Sequence, residues 1–80
     1  MPLFLLLHLH EATECAAAFA AWQGFRSPLR HTSAPSTCLA GGHAIWWRVE
    51  APTESEALAQ LPAYVRSRTR PIEVRDVEIP

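Results

Sequence analysis

Residues 3–10 read Leu-Phe-Leu-Leu-Leu-His-Leu-His, and no other stretch limits the fold as strongly. Side chains alternate across a strand. As a strand, this stretch carries Leu3, Leu5, Leu7 and Leu9 on one face and Phe4, Leu6, His8 and His10 on the other. A strand apolar on both faces belongs at the centre of a sheet with cover on both sides. We assign the leucine face to helices of the same chain. The Phe4–His10 face then needs a second cover.

The chain supplies helices on either side of a strand pair. From Glu11 to Gln23 it is alanine-rich, and alanine is the best helix former. Thr13 is the predicted N-cap, with Glu14 in the first turn and Gly24 as the left-handed residue that ends the helix. Cys15, Phe19 and Trp22 share one face at helical spacing, with Ala12 and Ala16. A polar connection follows. Residues 36–40 are read as a short strand, Gly41-Gly42 as a two-residue hairpin turn, and residues 43–51 as the returning strand. That hairpin pairs Cys38 with Ile45 and Thr37 with Trp46. Thr53-Glu-Ser-Glu56 is a capping box that opens a second helix towards Ser67. Pro62 kinks that helix, or ends it at Leu61 and restarts it. Residues 72–79 form the last strand, with a slip in alternation between Val74 and Val77. The order is β-α-β-β-α-β in a single domain of 80 residues, a ferredoxin-like α+β fold with a four-stranded antiparallel sheet and two helices on one face.

Composition narrows the function classes. The chain carries 7 basic and 8 acidic residues for a net charge of −1, which lacks the basic field that general nucleic-acid binding needs. No stretch approaches the roughly 20 apolar residues of a membrane span, and residues 1–9 lack the charged start of a signal peptide. Cys15 and Cys38 have no motif spacing, so reduced thiols and a cytoplasmic location are expected. A chain this short buries only about 60% of its unfolded surface, so a partner subunit is the simplest further cover. A homodimer through the sheet face carrying Phe4, Leu6 and Trp46 is the expectation.

Element order, length and strand character resemble the dimeric α/β-barrel superfamily, which includes muconolactone isomerase. The start Met-Pro-Leu-Phe, followed by histidines at the strand end, is also similar to small nickel-binding ferredoxin-like proteins. Leu61-Pro62 and Ile72-Glu-Val74 resemble the isomerase relatives. The resemblance implies a ferredoxin-like homodimer, the dimeric α/β barrel, more firmly than it implies an activity. No catalytic residue carries over with it.

His8-Leu9-His10 is the most informative motif. Two histidines two apart on a strand point the same way and can share one ligand. Imidazole suits nickel, copper, zinc and iron. The candidate metal set is His8 and His10, with Cys15, Glu11 or a group from a partner chain as the third ligand. The ordinary alternative is a pair of half-exposed rings satisfied by water or backbone. A second reading puts Trp46 and Arg48 into the same space as His8 and His10. Together with Phe4 and Leu6, they would hold a flat organic anion. In a third, His8 or His10 is the base of a cofactor-independent isomerase or oxygenase. In the plainer alternative, Arg48 pairs with Glu50 or an acid of the last strand. The arginines at 66, 68 and 70 are read as a solvated helix end, and Tyr64 as packing beside Pro62. His31 and His43 are expected to be largely exposed, and His8 and His10 to border an enclosed space.

Overall fold

The computed structural model describes all of residues 1–80. It contains β1 (Leu3–Leu9), α1 (Cys15–Ala20), β2 (Ala44–Glu50), α2 (Glu54–Leu58), α3 (Ala63–Arg66) and β3 (Thr69–Val74). Single 3-10 turns at Ala12–Glu14 and Cys38–Ala40 precede α1 and β2. The sheet has three antiparallel strands in the order β2-β1-β3. The leucine-rich strand is central, as its sequence demands.

The expected four-stranded ferredoxin-like sheet does not form, because residues 36–40 make no strand. Only one bridge, Ser36 to Ile45, is present there. Trp46 N–H donates to the Pro35 carbonyl (2.9 Å) and Thr37 N–H to the Ala44 carbonyl (3.0 Å), after which the backbone coils into the 3-10 turn. Thr37 is the reason. Its hydroxyl accepts from Ala44 N–H at 3.1 Å and its carbonyl accepts from Gly42 N–H at 2.8 Å. A short polar side chain thereby offers the backbone an alternative to a ladder. The expected pairs of Cys38 with Ile45 and Thr37 with Trp46 are therefore not made. Gly41 takes the positive φ (87°) that closes the turn.

The two faces of β1 are the reverse of those expected. Phe4, Leu6, His8 and His10 are buried under the helices, whereas Leu3, Leu5 and Leu7 are half-buried and Leu9 is exposed. Cross-strand register decides this. Directly opposed residues share a face, and β1 opposes Phe4 to Val49, Leu6 to Trp47 and His8 to Ile45. The leucine column instead lies beside Arg48 and Glu50 of β2 and Arg70 of β3, all of which are exposed. Three charged side chains keep that face in water, so the uniformly apolar Ile45-Trp47-Val49 column selects the face that the helices cover. The core joins Phe4, Leu6, Ile45, Trp47 and Val49 to Ala51, Ala57, Leu61 and Val65. The basis given above for a homodimer is overturned in part: Phe4 and Leu6 are covered by their own chain, and only Trp46 remains on the open face.

The helices are shorter than their sequence pattern suggests. The helix expected to start behind Thr13 opens instead at Glu11, whose N–H donates to the Glu14 carboxylate at 3.0 Å. It runs as helix only to Ala20 before turning through Gly24, which takes the left-handed conformation as expected (φ 73°). Thr53 caps α2 by accepting from Glu56 N–H at 3.2 Å. The break at Pro62 is a stop and restart: α2 ends at Leu58, and extended Pro62 (ψ 154°) precedes α3. The last strand begins three residues earlier than expected, at Thr69, and ends at Val74.

Candidate metal centre

Strand alternation brings His8 and His10 to the covered face, and backbone pairing adds a third imidazole. His10 N–H donates to the His43 carbonyl at 3.1 Å, so His43 continues the β1–β2 ladder opposite His10. Their ring centroids lie 5.3 Å apart. The Thr37-pinned turn fixes His43. Gly42 is required in that turn, because a Cβ there would collide with the Thr37 side chain.

The first residue of α1 supplies the thiol. Its position is held by a clamp centred on Glu14. The Glu14 carboxylate accepts from Arg68 Nε at 2.6 Å and from the Tyr64 hydroxyl at 3.2 Å, besides the Glu11 N–H. The Arg68 guanidinium lies 3.8 Å from the Tyr64 ring centre. The Glu11 N–H and the Arg68 guanidinium lower the Glu14 pKa, and burial with the Glu14 hydrogen bond raises that of Tyr64. This clamp ties the start of α1 to α3 and to the turn between α3 and β3. Neither the solvated-arginine reading of Arg68 nor Pro62 packing of Tyr64 foresees it.

The result is a cluster of His10, Cys15 and His43, whose ligand atoms all lie within 4.8 Å of one another. The proton positions follow from the partners. Val65 carbonyl and Thr69 Oγ1 lie 3.2 and 3.1 Å from His8 Nδ1, and the Thr69 hydroxyl itself donates to the Val65 carbonyl at 2.7 Å. A carbonyl only accepts, so His8 Nδ1 carries the hydrogen. His8 Nε2 then has a free lone pair and accepts from His10 Nδ1–H across 2.8 Å. His10 Nε2 is left with its own lone pair bare. Burial, partly opposed by the Val65 hydrogen bond, lowers the His8 pKa, which favours the neutral ring that this relay requires.

Two buried nitrogens in the molecule have no partner, His10 Nε2 and His43 Nδ1, and both are carried by residues of the cluster. Leaving such a group unsatisfied costs about 1–3 kcal/mol each. A cation drawn into the cluster would satisfy both. Bond lengths of roughly 2.0–2.1 Å to nitrogen and 2.3 Å to sulfur place tetrahedral ligand atoms about 3.3–3.7 Å apart. With separations of at most 4.8 Å, the ligand atoms would close in by no more than about an ångström.

The structure brings together His10 and Cys15 of the expected metal set, and separates His8, which stands behind His10 as its hydrogen-bond partner. His43, expected to be exposed, is the half-buried member of the cluster that the sequence did not single out; its signal was the register that sets it opposite His10. His31 is exposed as expected. The expected organic-anion site is scattered: Phe4 and Leu6 are core, while Trp46 and Arg48 lie on the opposite face of the sheet from His8. Arg48 pairs with Asp76 at 2.6 Å in the open, where such a pair contributes little. His8 and His10 line neither cleft of the molecule, contrary to the expectation that they border an enclosed space. Glu11, the other offered ligand, is outside the cluster. No helix is long and apolar enough to cross a membrane. In comparisons with protein families, characterised proteins and solved structures, nothing matches this chain.

Proposed function

We propose that the protein binds a transition-metal ion through His10 Nε2, His43 Nδ1 and the Cys15 thiolate. The carrying observation is that both partnerless buried nitrogens belong to histidines of a cluster that also contains a thiol. Two imidazoles and a thiolate suit zinc or copper better than oxygen-seeking magnesium or calcium. His8 is not a ligand in this reading. It donates to Val65 and Thr69 and accepts from His10, which fixes the tautomer that presents Nε2 to the ion. Three protein ligands leave a fourth tetrahedral position for water or a small exogenous group. Binding is favoured over turnover because neither cleft reaches these histidines.

Metal analysis of untagged protein and cobalt(II) titration test the reading. The expected result is one ion per chain and an intense thiolate-to-cobalt absorption band, both lost in His10→Ala and in Cys15→Ser. Retention of one tightly held ion in a His10→Ala, His43→Ala double variant refutes it.

A further inference from the structure

A cleft opens along the same covered face of the sheet, beyond the histidines. Ile45 and Trp47 form the floor of this cleft of about 360 Å³, whose walls include Phe19 of α1, Trp22 of the turn that follows it and Leu29 of the connection to β2. That volume falls in the range of small-molecule pockets. The aromatic lining is organised: Trp22 and Trp47 lie 5.8 Å apart at 50°, and Phe25 meets Trp22 edge-on at 6.2 Å. Phe19 is 52% exposed and Trp22 half-buried, so apolar surface at this cleft stays open to a ligand.

Arg30 also lines this cleft and is half-buried. The two ion pairs of the protein are Arg48–Asp76 and Arg68–Glu14, so Arg30 has no acidic partner. One of its five donors is used, Nη1 donating to the Phe25 carbonyl at 3.3 Å. The remaining guanidinium edge is free for a planar anion. The backbone around it is held in place. Ser27 Oγ donates to the Gln60 carbonyl at 2.7 Å and accepts from Leu29 N–H at 3.1 Å, and the Thr32 hydroxyl donates to the Leu29 carbonyl at 2.6 Å. His31, at the same cleft, is the one non-glycine residue with positive φ (62°). Such conformations persist where surrounding contacts fix them.

We propose that this cleft binds a small aromatic carboxylate, its ring against Trp22 and Trp47 and its carboxylate on the Arg30 guanidinium. The site is independent of the proposed metal centre: both draw on α1, but none of His10, Cys15 and His43 lines the cleft.

The test is calorimetric titration of metal-free protein, kept in EDTA, with 1-naphthoate and with the neutral analogue 1-naphthylmethanol. Naphthoate should bind at least tenfold more tightly than the alcohol. Arg30→Gln should weaken naphthoate by about tenfold to a hundredfold, the range of a charge-assisted hydrogen bond, and leave the alcohol unchanged. NMR of the indole N–H groups should show Trp22 and Trp47 shifting while Trp46, on the other face, does not. Equal affinity for acid and alcohol, an unaffected Arg30→Gln variant, or no binding at millimolar naphthoate by protein with a dispersed native spectrum each overturns the proposal. Because metal is absent throughout, these outcomes leave the metal reading unaffected.

Discussion

The orientation of the sheet can be tested by two adjacent truncations, Leu6→Ala and Leu7→Ala. Leu6 is fully buried, with Trp47 opposite it in the ladder. Leu7, on the other face, is half-buried and lies between Trp46 and Arg70. Truncating a fully buried leucine costs about 3–5 kcal/mol, the transfer loss plus the cavity left behind. Leu7→Ala removes the same atoms from a site that is already partly wet, and should cost about 1 kcal/mol. At about 0.05–0.15 kcal/mol per residue, the whole domain has only roughly 4–12 kcal/mol to lose. Leu6→Ala should therefore lower Tm by roughly 12 °C or more, and Leu7→Ala by roughly 4–8 °C. Urea unfolding followed by tryptophan fluorescence, at one low protein concentration, measures both. A larger loss for Leu7→Ala than for Leu6→Ala would put the leucine column inside and refute the register argument.

Four further outcomes follow from particular residues. Thr53→Ala removes the cap on Glu56 N–H and should cost about 1 kcal/mol in the same unfolding assay. Gly42→Ala drives a methyl into Thr37, whose hydroxyl is engaged with Ala44, and should cost about 1–3 kcal/mol while leaving α2 and α3 intact by circular dichroism. Because burial lowers the folded-state pKa of His8, the unfolded chain binds the extra proton. Stability is therefore full above about pH 6.5 and falls as pH drops towards the folded value, by about 1.4 kcal/mol per tenfold difference in proton affinity; a metal-free Tm that is flat from pH 7.5 to 5 contradicts this. A second copy is the occupant proposed for the open face, where Leu5 and Leu7 lie beside Ile72 and Trp46. Light scattering at micromolar concentration should then give twice the chain mass and Leu5→Glu the monomer, while a monomeric parent protein sinks the idea.

What could be read from the sequence was local, and what could not be read was register. Alternation marked β1 as a central strand. Side-chain chemistry marked the Thr53 cap, the Gly24 terminus and the break at Pro62. Each of these depends on neighbours within a few residues. The faces of β1 depended on which β2 residue lies opposite His8, a contact between positions 8 and 45 that no local pattern encodes. Apolar residues on both faces made the choice ambiguous in β1 itself; the polar residues Arg48 and Glu50 resolve it from the neighbouring strand. The missing strand was lost to a single competitor, the Thr37 hydroxyl, whose bond to Ala44 is invisible until the turn is built. The same dependence explains the site. His10 and Cys15 are near in sequence and were expected together. His43 joins them only through the ladder, and its place beside a glycine pair gave the appearance of an exposed turn residue.

This non-local origin would make metal binding at the cluster a measure of the fold. An ion held by His10, Cys15 and His43 joins the end of β1, the start of α1 and the approach to β2. The unfolded chain does not hold these three groups together, so such an ion would stabilise the native state by about 2.7 kcal/mol at a hundredfold excess over Kd and about 4.1 kcal/mol at a thousandfold. Zinc should then raise Tm by roughly 10 °C or more over EDTA-treated protein. The variants should fall in a defined order. His43→Ala removes a ligand and should abolish most of the rise. His8→Ala leaves all three ligands but frees the His10 ring, and loss of such an orienting partner weakens affinity about tenfold to a hundredfold, a reduction in stabilisation of about 1.4–2.7 kcal/mol. His31→Ala, at an exposed position outside the cluster, should retain the full rise. Scanning calorimetry of the four proteins with zinc and with EDTA reads the order directly. If His43→Ala gains as much from zinc as the parent does, the ion binds elsewhere and the assigned centre is wrong.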